Sequence, residues 1–217
     1  QSIITQVGRT GTLTPVAMVT PVRVGGVLVQ RATLHNQSEI DRKDIRVGDW
    51  VLIRRAGDVI PEVVQVIIEL RTGNEVKFIL PEQCPECGGE VQRDEGEIAL
   101  RCINAECPAK VIEGLRHFVS KDAMNIDGLG ARIIAQLVEQ GLIRKPSDLY
   151  GLTPESFEKL EGFAEKSTKN TIDAIAASRT VELSRLVYAL GIRHVGQQTA
   201  KLLAQHFGSL QALRSAS

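Results

Sequence analysis

Neither sign of charge is in excess. Lys plus Arg and Asp plus Glu number 26 each over 217 residues, which removes the bulk basicity that brings many proteins to a polyanion. Any such contact must be local, and the acidic excess that does exist lies in residues 81–120, leaving both flanks slightly positive. Long apolar runs are missing too. No stretch approaches the roughly 18 apolar residues of a membrane span, and the polar start Gln1-Ser2 followed by Ile3-Ile4 lacks the basic segment that opens a secretory signal. These absences predict a cytoplasmic chain with no membrane partner. A catalytic set is also lacking: His35, His117 and His206 stand apart, without matching carboxylates or metal-ligand spacing. What is present is 43% hydrophobic and 24% charged, enough to bury cores, over a length suited to one large domain or two to three small ones.

Residues 1–80 read as strands. Ile3 to Val7, Pro15 to Val19, Gly26 to Leu34, Trp50 to Arg54, Val59 to Leu70 and Val76 to Leu80 are rich in Val and Ile and are punctuated by Gly, Pro and Asp. So many short strands predict a small closed barrel, with one short polar helix over Ser38 to Lys43 and Ser38 as its N-cap. Two turns carry more than a barrel needs. Gly8-Arg9-Thr10-Gly11 places a cation and a hydroxyl between glycines, and Arg54-Arg55-Ala56-Gly57-Asp58-Val59-Ile60-Pro61 places paired cations beside two β-branched residues. They are either solvated hairpin tips or contact points.

All four cysteines fall in the next segment, as Cys84-x2-Cys87 and Cys102-x4-Cys107. Each pair can bring two thiolates to one ion, and Gly88-Gly89 lets the loop backbone curl toward the sulfurs, the pattern of a tetrahedral four-thiolate zinc site. Two disulfides are the alternative, but nothing indicates an oxidising compartment and C-x2-C disulfides are mostly redox pairs. With four protein ligands the zinc would have no open position and would be structural. Between the pairs Val91, Ile98 and Leu100 are too few to hold the segment folded without it.

From Pro108 the period becomes helical. Val111, Ile112, Leu115, Phe118 and Val119 form one apolar stripe, and Ile133, Ile134, Leu137 and Val138 another, ending at Gly141. Thr153-Pro154 begins a further helix, Ile172, Ile175 and Ala176 mark the next, and Leu183 to Leu190 and Ala200 to Phe207 flank a last turn. Between these helices one motif recurs. Asn125-Ile126-Asp127-Gly128-Leu129-Gly130, Leu160-Glu161-Gly162-Phe163-Ala164 and Gly191-Ile192-Arg193-His194-Val195-Gly196 align with first slots at 128, 162 and 194 and second slots at 130, 164 and 196. Taken singly, such a turn is either an ordinary helix–helix connection or a place where amides at a helix start face a phosphate. The recurrence favours the second. A helical period of about 34 residues also suits a tetratricopeptide array, but its Trp, Tyr and Pro pattern is missing. The unit therefore reads as helix-hairpin-helix.

The chain now resembles a known family. Val7-Gly8-Arg9-Thr10-Gly11 with Thr14-Pro15-Val16-Ala17, Ala32-Thr33-Leu34-His35-Asn36, Arg54 to Pro61, the cysteine pattern, Ile126 to Gly130 and Leu190 to Gly196 look like the central and C-terminal part of a bacterial NAD-dependent DNA ligase. The resemblance covers essentially the whole chain and implies a multi-domain β plus α architecture: an OB-fold β-barrel over 1–80, a four-cysteine zinc finger over 81–117 with Cys84, Cys87, Cys102 and Cys107 as ligands, and an all-α helix-hairpin-helix domain over 118–217, with three hairpins and truncated before a fourth. It further implies that Arg9, Thr10, Arg55, Val59 and Ile60 contact DNA from the barrel. Gly128, Gly130, Gly162 and Gly196 would grip backbone phosphates through their amides, without sequence information. The partner would be nicked duplex DNA, bound by a monomer in the cytoplasm at the nucleoid.

Family members seal nicks through a lysyl-AMP intermediate formed from NAD on a Lys-x-Asp-Gly motif, with Mg2+. That motif is absent: Asp127-Gly128 has Asn125 where the lysine would stand. NAD and Mg2+ are therefore expected only in the full-length enzyme, and these residues alone should not ligate. Ala164 and His194 depart from the glycine pattern, which puts their turns in doubt. The alternative functions are a free-standing DNA-structure-binding repair or recombination protein and, more distantly, an RNA-binding barrel with a zinc ribbon.

Overall fold

The structure is a computed structural model that describes residues 1–56 and 60–216. It divides into two compact units, Gln1–Cys107 and Pro108–Ser217.

In the first unit β1 (Ser2–Val7), β2 (Leu13–Val24), β3 (Val27–Thr33), β5 (Val51–Ala56) and β6 (Ile60–Val66) form one sheet in the order β1-β2-β3-β6-β5, while β4 (Arg46–Val47) pairs with β7 (Val76–Lys77). All pairings in the large sheet are antiparallel except β3 with β6, where Thr33 lies opposite Glu62. Helix α1 (Gln37–Arg42) closes one side: its Ile40 is buried with Ala17, Ala32, Leu34, Ile45 and Val63. The β-branched, alternating strands supply that core because successive side chains point to opposite faces.

Two local expectations change. Helix α1 is capped by Asn36 rather than Ser38, the Asn36 carboxamide oxygen accepting from the Glu39 amide at 2.9 Å. His35, held left-handed at φ 62°, turns the chain so that Asn36 arrives first. The apolar run expected as one strand to Leu70 stops at Val66, opposite Val51, the first residue of β5. Beyond that it has no strand to pair with, and Ile68–Leu70 forms a 3-10 turn with Ile68 and Leu70 exposed.

The cysteine segment contributes a small hairpin, β8 (Val91–Arg93) against β9 (Leu100–Cys102). Helix α2 (Pro108–Val119) opens the second unit with Pro108 as its first residue, and it runs across position 117. Helices α3 (Ala131–Glu139), α4 (Glu165–Ala177), α5 (Leu183–Ala189), α6 (Gln197–Phe207) and α7 (Leu210–Arg214) follow. Their core includes Leu115, Phe118, Ile134, Leu137, Ile143, Leu149 and Phe157. The helix expected from Thr153 is only a 3-10 turn, Pro154–Phe157. The chain bends there to bury Phe157, whose ring stacks on Phe163 with centroids 4.9 Å apart. No helix among the described residues is long and apolar enough to cross a membrane.

Phe157 is 1% exposed, so Phe157→Ala is expected to cost about 3–5 kcal/mol through lost burial and an unfilled cavity. Urea titration followed by far-UV circular dichroism should show the midpoint falling for the helical unit.

Candidate nucleic-acid interface and metal centre

The four cysteine sulfurs converge. All Sγ atoms lie within 4.8 Å of one another, with Cys84 to Cys107 at 3.8 Å and Cys87 to Cys102 at 3.6 Å. A tetrahedron with Zn–S near ~2.3 Å has edges of about 3.8 Å, whereas a disulfide needs about 2.05 Å. These are four free thiols shaped for one ion. Two turns aim them. In the first, the Gly88 amide donates to the Cys84 carbonyl at 2.8 Å and Gly88 is left-handed at φ 67°. A Cβ on Gly89 would come within 3.2 Å of both Cys87 Sγ and Asn104 Cβ, so only glycine lets the backbone pass this close. In the second, the Asn104 side chain accepts from the Glu106 amide at 2.9 Å and its carbonyl from the Cys107 amide at 3.3 Å. The thiols differ electrostatically. The Gly89 amide, 3.4 Å from Cys87 Sγ, helps hold that thiol down to about 7, while burial pushes the Cys102 thiol up to about 12.

In the helical unit the three repeated turns share one backbone path. The first slot is left-handed each time: Gly128 at φ 90°, Gly162 at 87°, His194 at 63°. The second slot is extended and N-caps the following helix: Gly130 before α3, Ala164 before α4 and Gly196 before α6. Glycine is therefore needed at the first slot and not at the second. The departure at Ala164 carries no backbone strain, and the strained substitution is His194, a residue type that tolerates this region better than most.

The chemistry around the turns differs. Around the first, Ile126 and Leu129 are buried while Gly128 and Gly130 remain exposed, and Arg116, Ser120 and Asp127 line the same cleft of about 300 Å3. After the third, the start of α6 contributes Gln197, Gln198 and Lys201 to a cleft of about 290 Å3 that Asp122 and Arg185 also line. The second differs: the Ala164 amide is taken by Ser167 Oγ at 2.8 Å, and Glu161 and Glu165 flank it. Glu161 is paired with Arg132 at 2.5 Å. One amide of the second turn is thus already satisfied within the chain. Reading the sequence for glycines alone missed Arg116, Lys201 and Ser167; for Lys201 and Ser167 a cation or hydroxyl in the first turns of the following helix was the available signal, whereas Arg116 comes from the preceding helix.

In the barrel, Arg9 and Thr10 sit in the β1–β2 turn, where the Gly8 amide donates to the Thr12 carbonyl at 2.9 Å. Thr10 Oγ1 lies 3.0 Å from Thr12 Oγ1 and accepts from Arg101 Nη1 at 3.0 Å. Arg55 and Ile60 are placed in β5 and β6, with Arg55 opposite Pro61 and Ile60 opposite Ala56; Val59 lies outside the described residues. Beside them Glu62 accepts from Arg54 Nε at 2.5 Å and meets His35 Nε2 at 3.0 Å. Arg54 first and His35 second hold the Glu62 carboxyl below the usual range. His35 thus does have a carboxylate partner, brought to it by the parallel pairing of β3 with β6, which sequence separation concealed.

Comparison with known proteins gives a consistent pattern. Residues 1–75 match the NAD-dependent DNA ligase OB-fold domain, 83–109 the NAD-dependent DNA ligase C4 zinc finger domain, 120–177 a SAM-like helix-hairpin-helix tandem and 185–217 a helix-hairpin-helix motif. The DNA ligase of Syntrophobacter fumaroxidans is 58% identical over 98% of this chain and 31% of its own length. That of Bacillus subtilis is 56% identical over 97% of this chain and 32% of its own. The chain thus spans 31% to 32% of the length of these relatives.

Two outcomes follow from this geometry. Zinc must displace the Cys102 proton at every pH below about 12 and the Cys87 proton below about 7. Apparent zinc affinity should therefore rise about tenfold per pH unit from Cys102 alone; proton release measured by calorimetry in buffers of different ionisation enthalpy checks this. The glycine slots should also separate. A Cβ on Gly128 would lie 2.0 Å from Thr171 Oγ1, whereas one on Gly130 meets nothing within 4 Å. Gly128→Ala is expected to cost about 2–4 kcal/mol from strain and overpacking and Gly130→Ala less than about 0.5 kcal/mol, read from urea midpoints.

Proposed function

We propose that this chain, which belongs to the family of NAD-dependent DNA ligases, is the portion of the enzyme that holds nicked duplex DNA while another portion performs the chemistry. The observation that carries this reading is the repeated turn: a left-handed residue, then an extended N-cap with exposed backbone, at the start of α3, α4 and α6. Amides at a helix N-terminus, backed by the helix dipole, suit phosphate oxygens. They read no base edges, so a grip made of them is indifferent to sequence, as sealing arbitrary nicks requires.

In this reading Gly128, Gly130 and Gly196 contribute the strongest amide contacts, and Gly162 contributes less because the Ala164 amide of its turn already donates to Ser167 Oγ. From the barrel, Arg9 and Arg55 meet phosphates near the nick, Thr10 supports them, and Val59 and Ile60 press into the minor groove. Cys84, Cys87, Cys102 and Cys107 hold one structural zinc, which leaves no position for substrate. NAD and Mg2+ serve the adenylation step, which needs a lysine in a motif that these 217 residues do not contain. The chain acts as a monomer, and on its own it binds nicked DNA without sealing it.

The decisive variant is Gly130→Asp. Aspartate is a favourable N-cap residue and its Cβ meets nothing within 4 Å, so the fold should be retained while a negative charge enters the phosphate path. Nicked-duplex affinity, measured by fluorescence anisotropy, should fall about tenfold or more, and duplexes of unrelated sequence should bind alike with log affinity falling linearly in log salt. Unchanged binding by the folded variant would reduce the turn to a helix connection. Incubation with NAD, Mg2+ and nicked DNA should yield neither an AMP-labelled chain nor a sealed product.

A further inference from the structure

The strands of the zinc segment and the barrel meet at one point within the first compact unit. The Cys102 amide donates to the Gly11 carbonyl at 2.9 Å, and Arg101 bridges to Thr12 across an isolated antiparallel pair. Cys102 is itself a metal ligand, so one residue belongs both to the four-thiolate cluster and to the β1–β2 turn of the barrel.

The Arg101 side chain reinforces this. It is 18% exposed and divides its guanidinium between two sets of acceptors. One Nη1 reaches Thr10 Oγ1 at 3.0 Å and also donates to Thr12 Oγ1, while Nε and Nη2 meet Glu97 Oε2 at 3.0 and 2.7 Å, with Asp94 Oδ2 at 3.8 Å. Both carboxylates come from the β8–β9 loop, so they fix the fork from the zinc side. The two hydroxyls come from the barrel turn, on either side of Gly11. A planar fork can span both sets at once, and an ammonium cannot.

The turn has few backbone bonds of its own. They include Gly8 N to Thr12 O at 2.9 Å and Gly11 N to Gly8 O at 2.8 Å, with the Thr10 and Thr12 hydroxyls 3.0 Å apart, and Gly11 is left-handed at φ 80°. Two glycines in five residues leave many backbone conformations open unless outside contacts choose one.

We propose that Arg101, with the adjoining amide of Cys102, latches the Gly8–Gly11 turn onto the four-cysteine site and so positions Arg9 for DNA. Arg101 is a positioning residue, and Thr10 and Thr12 are the parts of the turn it holds. This rests on the reading of that turn as a DNA contact. It gives the zinc site a task beyond its own loops: metal binding orders a barrel turn distant in sequence.

Arg101→Leu keeps the aliphatic stem and removes every donor. In the full 217-residue chain the variant should keep its zinc, exchange the Gly8 and Gly11 amides about tenfold faster in the free protein, and bind nicked duplex about tenfold more weakly with a salt slope shallower by about one phosphate. Arg9→Ala is the companion: weaker binding and a shallower slope, with Gly8 and Gly11 exchange unchanged. Chelating the zinc of the unaltered chain should likewise speed exchange at Gly8 and Gly11. Unchanged exchange in Arg101→Leu overturns the latch. Faster exchange with unaltered binding overturns the positioning role if Arg9→Ala weakens binding. Should Arg9→Ala also leave binding intact, the DNA-contact reading is what fails, and the exchange result upholds the latch. If Arg101→Leu loses its zinc, Thr12→Val removes the same contact from the barrel side and is judged by the same outcomes.

Discussion

A backbone that must turn left-handed and then straighten into an N-cap within three residues governs the helical unit. Few residues other than glycine enter the left-handed region without cost, and at the first slot of the three turns Gly128, Gly162 and His194 do so. Apolar side chains two residues before the first slot and one residue after it decide where the turn then faces. Ile126 and Leu129 are 3% exposed, so they anchor the first turn in the core and leave the glycine backbone outside. The third turn is anchored on one side only, since Ile192 is 47% exposed. Burial of the apolar partners and exposure of the amides are thus one event, set by spacing alone.

The cysteine cluster performs the corresponding service for the first unit. Its apolar neighbours are sparse and Ile98 is 59% exposed, so local burial contributes little and the order of the segment depends on what holds the sulfurs together. Four thiols within 4.8 Å are an unfavourable arrangement once any of them ionises, because like charges at that distance raise one another's proton affinity. A divalent cation reverses that term. The same charge logic orders Arg101, whose cation sits between the Glu97 and Asp94 carboxylates and two neutral hydroxyls.

The parts of this architecture that were legible in the sequence are those carried by a fixed spacing. C-x2-C with C-x4-C, the glycine slots and the change from period two to period 3.6 at Pro108 all depend on local covalent geometry, so they survive without knowledge of partners. What was not legible depends on pairing. The end of β6 at Val66 is set by where β5 begins, the Asn36 cap by the left-handed turn at His35, and the collapse of the expected helix after Thr153 by the need to stack Phe157 on Phe163. Long-range polar contacts were hidden for the same reason: Arg101 to Thr10, and His35 to Glu62, join residues that no periodicity relates. The slot occupied by Ala164 was misjudged because the sequence shows a missing glycine but not which slot carries the positive φ.

Charge neutrality bears on how the chain would hold DNA. A binder with a large positive field attracts duplex from a distance but also binds it everywhere, since that attraction is independent of structure in the DNA. With 26 charges of each sign, this chain carries no net charge to attract duplex from afar, and the amides proposed as donors in its helical unit carry partial charges that fade within a helical turn. Affinity then depends on several turns meeting phosphates at once, which is a test of duplex shape. The mixed charge around the turns fits this: Arg116 and Asp127 line the cleft at the first, and Glu165, Lys166 and Lys169 lie beside the second. A uniformly basic unit would gain affinity and lose that discrimination.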